Sequence, residues 1–191
     1  LTDRSGPKRI LIIGGSQGAA ALNEIVPSAI EILSASMPIE VWHQTGKGRM
    51  QDVVMAYQKF TSEVRVSEFV DDMAEAYRWA DLIICRSGAI TLAEIAAVGL
   101  ASVLVPYPYA VDDHQTSNAQ SFVTAGAASL VVESDLNASN LAELITKLLN
   151  DSKQLVSMAC AAKKLGTGNA SQKIADECML LGGLTAVAGT A

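Results

Sequence analysis

Residues 10–18 read Ile-Leu-Ile-Ile-Gly-Gly-Ser-Gln-Gly, an apolar run that passes directly into a glycine-rich turn, and a helix-like stretch begins at Ala19. α/β proteins bind phosphate at such strand–turn–helix junctions, because unpaired N–H groups of the first helical turn attract anions and glycine lets the anion approach. Alternatively, the glycines only permit a tight turn. The turn differs from the dinucleotide pattern G-x-G-x-x-G, since position 12 is Ile, and Lys47 lacks the flanking residues of a P-loop.

Short apolar runs alternate with longer amphipathic segments along the whole chain. The runs lack a two-residue alternation, which is typical of strands that are buried on both faces. This order predicts an α/β fold, a Rossmann-like parallel sheet with helices on both faces. We expect one domain over residues 1–181 and a flexible tail over 182–191, where no periodic pattern occurs. The predicted strands are 9–13, 40–44, 64–69, 82–85, 102–105 and 129–132.

Composition limits the classes of function. The chain has 191 residues, of which 50% are hydrophobic and 18% charged, enough apolar residues for one buried core. A net charge of -6 and the lack of a basic, aromatic-rich cluster argue against nucleic-acid binding. Three cysteines, with Cys85 in an apolar run, favour reduced thiols and a cytoplasmic location. The start, without Met or a signal peptide, suggests a piece of a longer protein.

Other polar loops follow other predicted strands, and the carboxyl ends of parallel strands meet at one edge of a sheet. Residues 85–94 repeat the order of strand, small-residue turn and helix start, so two sets of backbone donors could hold a diphosphate. Glu94 lies where a carboxylate could accept hydrogen bonds from both ribose hydroxyls, although Thr91 and Glu94 also have capping-box spacing. The amide and imidazole of residues 114–115, after the proline loop 106–109, suit sugar hydroxyls.

The acidic residues and histidines predict structural roles rather than a metal site. The Asp pairs at 71–72 and 112–113 form no D-x-D motif and are expected to cap helices. His43 and His114 have no metal-ligand spacing with the cysteines, and His43, in a strand-like run, is expected to be structural. Two further pairs have capping-box spacing: Asp72 with Glu75 and Asn140 with Glu143.

Three separated motifs, in order, resemble the C-terminal, donor-binding half of the MurG family of peptidoglycan glycosyltransferases. The resemblance covers roughly residues 8–175. It implies one half of a GT-B enzyme that binds UDP-N-acetylglucosamine and transfers the sugar with inversion, without a metal or cofactor. The acceptor would be undecaprenyl-pyrophosphoryl-N-acetylmuramyl-pentapeptide. The matching segments are 14–19, 69–73 with 77 and 79–81, 85–99, and 115 with 118–119.

The resemblance also implies a role for individual residues, although the family usually has an amide pair where this sequence has His114-Gln115. It implies no catalytic residue in this half, because the base would come from the N-terminal domain. The contacts it implies are Gly15, Ser16, Gln17 and Gly18 with the diphosphate, Ser87, Gly88, Ala89 and Thr91 with the second phosphate seat, Phe69 and Val70 with uracil, Glu94 with ribose, and His114 and Gln115 with the sugar.

This half is therefore predicted to bind the donor without turnover. The lipid-linked acceptor and the cytoplasmic face of the membrane would be contacted through the N-terminal domain. Two alternatives remain at this point. The chain could be a natural donor-binding subunit of a split N-acetylglucosamine transferase, or half of another UDP-sugar enzyme of the same architecture, such as a 2-epimerase.

Overall fold

The computed structural model describes residues 6–15, 18–60, 63–110 and 113–166. Its strands are β1 Lys8–Ile13, β2 Ile39–Gln44, β3 Val64–Ser67, β4 Leu82–Cys85, β5 Ser102–Leu104 and β6 Ala128–Leu130. Its helices are α1 Ala20–Ser34, α2 Met50–Ala56, α3 Met73–Trp79, α4 Ala89–Val98, α5 His114–Thr124, α6 Ala138–Asn150 and α7 Ser152–Gly166, with a short 3-10 helix at Glu133–Asp135. None of the helices in these ranges has the length and apolar character needed to cross a membrane.

The six strands form one parallel sheet in the order β3-β2-β1-β4-β5-β6. The order reverses between β1 and β4, the switch point of a doubly wound sheet. The strands also end in register. Their final residues pair across the sheet as one row: Ser67, Gln44, Ile13, Cys85, Leu104 and Leu130.

Alternate residues of the strands enter two hydrophobic cores, one on each face of the sheet. On β1, Ile10 and Ile12 pack with α1 and α6, whereas Leu11 and Ile13 pack with α3, α4 and α5. Burial on both faces explains the continuous apolar runs Ile10–Ile13 of β1 and Leu82–Cys85 of β4. The predicted α/β class with helices on both faces is confirmed.

The predicted strand positions agree with the structure to within two residues at each end. The largest differences are at the ends of the predicted strands 64–69 and 129–132, which end at Ser67 and Leu130. Phe69 therefore lies in the loop after β3. Cys85 is fully buried, as its apolar run predicts. The proposed domain limit at 181 and the predicted tail 182–191 lie outside the described residues.

The helix caps follow the predicted spacing at only one position. The Asp72 carboxylate accepts the N–H of Glu75 at 2.9 Å, as predicted. The prediction at Thr91 is wrong, because Gly88 is the N-cap of α4 and Thr91 lies inside the helix. Asn140 is also inside its helix, since Asn137 is the cap.

Asp113 was predicted to cap a helix, but its side chain does not cap α5. It has the left-handed φ of +51° and accepts no capping hydrogen bond among the described residues. A left-handed N-cap does not present its side chain to the first helical turn in the usual extended geometry. Asp112 lies outside the described residues.

Candidate functional site

The candidate site lies at the carboxyl edge of the sheet, at the switch point between β1 and β4. Open α/β sheets bind ligands in the crevice that forms there, because the loops on either side diverge to opposite faces. The glycine turn follows β1 and the Ser87-Gly88 turn follows β4, so the register of Ile13 with Cys85 makes the two turns neighbours. The two loops that the sequence singled out are thus adjacent.

Helices that start near the switch point differ from those that follow the outer strands. The described residues supply no side-chain cap at the N-cap positions of α1, α4 and α5, which follow β1, β4 and β5. α2 also lacks one, whereas α3 and α6, after the edge strands β3 and β6, are each capped by a side chain. Uncapped first-turn N–H groups, with the positive end of the helix dipole, favour an anion. The centre of the edge therefore suits phosphate.

The glycine turn is tightly packed against the loop after β2. Gly15 and Gly18 have φ of +80° and +72°, and a Cβ on Gly18 would lie 2.3 Å from the Thr45 carbonyl oxygen. The Gly15 N–H donates to Gln44 Oε1 at 3.0 Å and the Gly18 N–H to the Gly15 carbonyl at 2.9 Å. Both amides are thus bonded within the protein, and α1 begins two residues after Gly18, at Ala20. Ser16 and Gln17 lie outside the described residues.

A buried polar network supports this turn from below. His43 is fully buried, with Nδ1 3.0 Å from Tyr57 Oη and Nε2 3.1 Å from Asn23 Oδ1. The Asn23 amide donates to the Thr45 carbonyl at 2.9 Å. Burial lowers the pKa of His43 from 6.5 to about 3, so the ring is neutral near pH 7. The structural role predicted for His43 is confirmed, and the network fixes the Thr45 carbonyl against which Gly18 packs.

The second turn is bonded to the start of α5 and to the loop after β5. Ser87 is buried, and its hydroxyl donates to the Gln115 carbonyl at 2.8 Å. Asn118 Nδ2 donates to the Ser87 carbonyl at 3.2 Å, and Gln115 Oε1 accepts the N–H of Tyr107 at 3.0 Å. The Ser87 hydroxyl therefore positions α5, while Gly88 and Ala89 form the start of α4, which no side chain of the described ranges caps.

Arg86 fixes the proline loop and was not predicted from the sequence. Its guanidinium donates to the carbonyls of Val105 and Pro106 at 3.1 and 3.0 Å and forms an ion pair with Glu133. The same group lies over the ring of Tyr107, 5.4 Å from its centroid. These groups come from separate parts of the chain, so no local pattern predicts them.

Glu94 lies in the second turn of α4 and is bonded to Tyr77. Its Oε2 accepts the Tyr77 hydroxyl at 2.7 Å. Burial, together with this hydrogen bond, raises the pKa of Tyr77, which stays a donor at physiological pH. The capping-box interpretation of Glu94 is wrong, and the structure instead gives the carboxylate a fixed partner.

The remaining predicted residues lie in the surrounding loops and helix starts. Phe69 is 49% exposed and Val70 is half-buried, both in the loop after β3. His114 is exposed at the first position of α5, beside Gln115. Thr91 is half-buried in the first turn of α4. An exposed aromatic ring at the ligand edge of the sheet is a group that could stack on a planar base.

Comparison with known proteins agrees with this geometry. Residues 9–177 match the glycosyltransferase family 28 C-terminal domain. The chain belongs to this family. A solved family 28 relative, MurG of Acinetobacter baumannii, superposes with a TM-score of 0.83 at 39% identity, over 92% of this chain and 50% of that chain. The predicted resemblance to the C-terminal half of MurG is confirmed.

Two further proteins define how far the likeness of this family 28 domain extends. A UDP-N-acetylglucosamine--N-acetylmuramyl-(pentapeptide) pyrophosphoryl-undecaprenol N-acetylglucosamine transferase of Shewanella sediminis is 48% identical over 177 residues, which is 92% of this chain and 48% of that protein. The chain thus spans about half the length of such relatives. A putative UDP-N-acetylglucosamine 2-epimerase of Listeria monocytogenes has a TM-score of 0.71 at 17% identity, over 94% of this chain and 46% of that chain, which shows a shared fold.

Proposed function

We propose that this domain binds UDP-N-acetylglucosamine as the donor half of an inverting glycosyltransferase that modifies lipid-linked N-acetylmuramyl-pentapeptide. The observation that carries the proposal is the pair of helix N-termini of α1 and α4, on either side of the switch point, for which the described part of the chain supplies no side-chain cap. A diphosphate needs donors on both sides, and this pair offers them. The family and the named activity of the MurG relatives supply the choice of nucleotide and sugar.

In the proposed reaction, an acceptor hydroxyl attacks the anomeric carbon of the sugar while the bond from that carbon to the UDP oxygen breaks. The acceptor proton passes to a base in the other half of the enzyme, and UDP leaves with the bonding electrons. Negative charge grows on the diphosphate as the bond breaks. Preset N–H groups at α1 and α4 would therefore stabilise the transition state more than the bound donor.

The rest of the donor would contact the loops around the two helix starts. Phe69 and Val70, after β3, would hold the uracil, with the exposed Phe69 ring as a stacking surface. Glu94, oriented by Tyr77, would accept hydrogen bonds from the ribose hydroxyls. His114 and the amide N–H₂ of Gln115 would donate to hydroxyls of the sugar.

The assignment of the sugar is tested by calorimetry with three donors. We expect the chain to bind UDP-N-acetylglucosamine at least several-fold more tightly than UDP-glucose or UDP-N-acetylgalactosamine, because recognition of particular hydroxyl and amide groups leaves protein groups unpaired with the wrong sugar. Equal affinities would favour a different UDP-sugar enzyme of the same architecture. The sequence of the full-length gene product would separate an excised half from a natural subunit.

We also propose that this chain alone does not catalyse transfer, since the acceptor, the base and the cytoplasmic membrane surface would be contacted through the other half. A radiolabelled-donor assay with lipid-linked acceptor measures this. Sugar transfer by the 191-residue chain above matched blanks would refute the division of roles between the halves.

A further inference from the structure

Gln44, the last residue of β2, is a buried amide with an unusual set of partners. Its side-chain oxygen accepts two backbone N–H groups of the glycine turn, from Gly14 at 3.1 Å and from Gly15 at 3.0 Å. Its N–H₂ group donates to the Gly15 carbonyl at 3.0 Å and to the Glu68 carbonyl at 2.7 Å. Gln44 is only 4% exposed. One side chain therefore makes four hydrogen bonds, all to backbone groups of two different loops.

These four bonds require a primary amide. The oxygen of Gln44 accepts two donors while its nitrogen donates to two acceptors, which uses the full hydrogen-bonding capacity of the group. A carboxylate of the same shape would place an oxygen against the carbonyls of Gly15 and Glu68, and an apolar side chain would make none of the four bonds, of which the one from Gly14 is buried and the others are partly buried. The backbone groups of the two loops together therefore require an amide at position 44.

The two loops joined by Gln44 are those assigned to the two ends of the UDP part of the donor, its diphosphate and its uracil. Gly14 and Gly15 form the turn beside the proposed diphosphate seat at α1. Glu68 directly precedes Phe69, the proposed surface for uracil. A backbone hydrogen bond also joins the loop after β2 to Glu68, since the Gly46 N–H donates to the Glu68 carbonyl at 3.1 Å.

We propose that Gln44 is a positioning residue that sets the distance between the diphosphate turn and the uracil loop, so that both ends of one nucleotide are bound at once. This inference rests on the proposed function. Gln44 lies beneath the backbone of both loops and acts only through them. Its effect should therefore depend on whether a ligand spans both loops. A ligand that reaches one loop alone should be almost indifferent to their spacing.

The test compares UDP, which spans both loops, with uridine, which reaches only the base and ribose end. Calorimetry and ligand-observed NMR give the two affinities for the 191-residue chain and for Gln44→Met, which keeps the length but removes the amide. We expect UDP affinity to fall by about tenfold or more and uridine affinity by less than about threefold, because misplacement penalises only simultaneous contact. Gln44→Asn, a shorter amide that cannot reach both loops, is a second variant with the same expected pattern.

Ile145→Ala is the matched control, since Ile145 is fully buried on α6 in the core and is distant in sequence from both loops. It should lower the melting temperature and leave the ratio of the two affinities unchanged. Equal losses for UDP and uridine in Gln44→Met and Gln44→Asn, or no loss for either ligand, would overturn the positioning role while the proposed function stands. If the unmutated chain binds no UDP, the proposed function fails and this inference fails with it.

Discussion

Removal of the Glu94 carboxylate should weaken nucleotide binding through the ribose. The structure holds this carboxylate in place by a 2.7 Å hydrogen bond from the buried Tyr77 hydroxyl. Ribose hydroxyls that donate to a charged, oriented acceptor lose those bonds in Glu94→Ala, at a cost of about 1 to 3 kcal/mol. This cost corresponds to UDP affinity that is about 5- to 150-fold lower.

Calorimetry with UDP and with 2′-deoxy-UDP measures this effect on the 191-residue chain. The affinity loss in Glu94→Ala should be smaller for 2′-deoxy-UDP, which has one hydroxyl fewer to donate. Tyr77→Phe is the matched control, because it removes the same internal hydrogen bond and keeps the carboxylate. It should lower the free energy of unfolding by about 1 to 2 kcal/mol and weaken UDP less than Glu94→Ala does.

Equal UDP affinity in Glu94→Ala and the unmutated chain would refute the ribose role. Equal losses in Glu94→Ala and Tyr77→Phe would show that the effect comes from the packing of α3 against α4 and not from the carboxylate.

Two further predictions concern the support of the glycine turn. Gly18→Ala should lower the free energy of unfolding by at least about 2 kcal/mol more than Gly48→Ala does, because both glycines have φ of +72° but only a Cβ on Gly18 would lie 2.3 Å from the Thr45 carbonyl oxygen. Urea denaturation of both variants measures this difference. Equal losses of stability would contradict the close packing. Since the pKa of His43 falls from 6.5 to about 3 on folding, the unfolded state takes up a proton that the folded state does not as pH drops below 6.5. The free energy of unfolding should therefore fall by about 2 kcal/mol from this group between pH 7 and 5. His43→Gln should remove that part of the pH dependence in urea denaturation, whereas His114→Gln, which changes an exposed residue, should keep it; the same pH dependence in His43→Gln as in the unmutated chain would refute this.

The strands could be predicted because burial on both faces leaves a strong local signal. β4 is apolar at every position and β1 in its last four residues, and both are followed by glycine or polar turns, so their carboxyl ends follow from composition. The end of β3 could not be predicted in this way. Phe69 is apolar and suits a strand, but pairing with β2 stops at Ser67 opposite Gln44, a limit set by the neighbouring strand.

The caps show a second limit of local patterns. Asn137 and Asn140 are both good cap residues, and only the position at which the chain leaves the 3-10 helix decides between them. At α4, the extended Gly88 starts the helix before Thr91 is reached. Spacing alone therefore identified one cap of three.

The turns of the candidate site could be predicted from local sequence, whereas the side chains that hold them could not. The two small-residue turns were recognisable, since each follows a strand and precedes a helix. The side chains that fix them were not, because Gln44 lies 29 residues from Gly15 and Ser87 lies 28 from Gln115. Gln44 had one visible signal, a polar residue at the end of a strand, directly before a loop. Its partners depended on the sheet order.

Calorimetric titration of the 191-residue chain with UDP determines whether the crevice at the β1–β4 switch point is a nucleotide site. We expect saturable binding of one UDP per chain, which UDP-N-acetylglucosamine displaces. No saturable binding of UDP at millimolar concentration, by a chain whose thermal unfolding is cooperative, would contradict the proposed donor site.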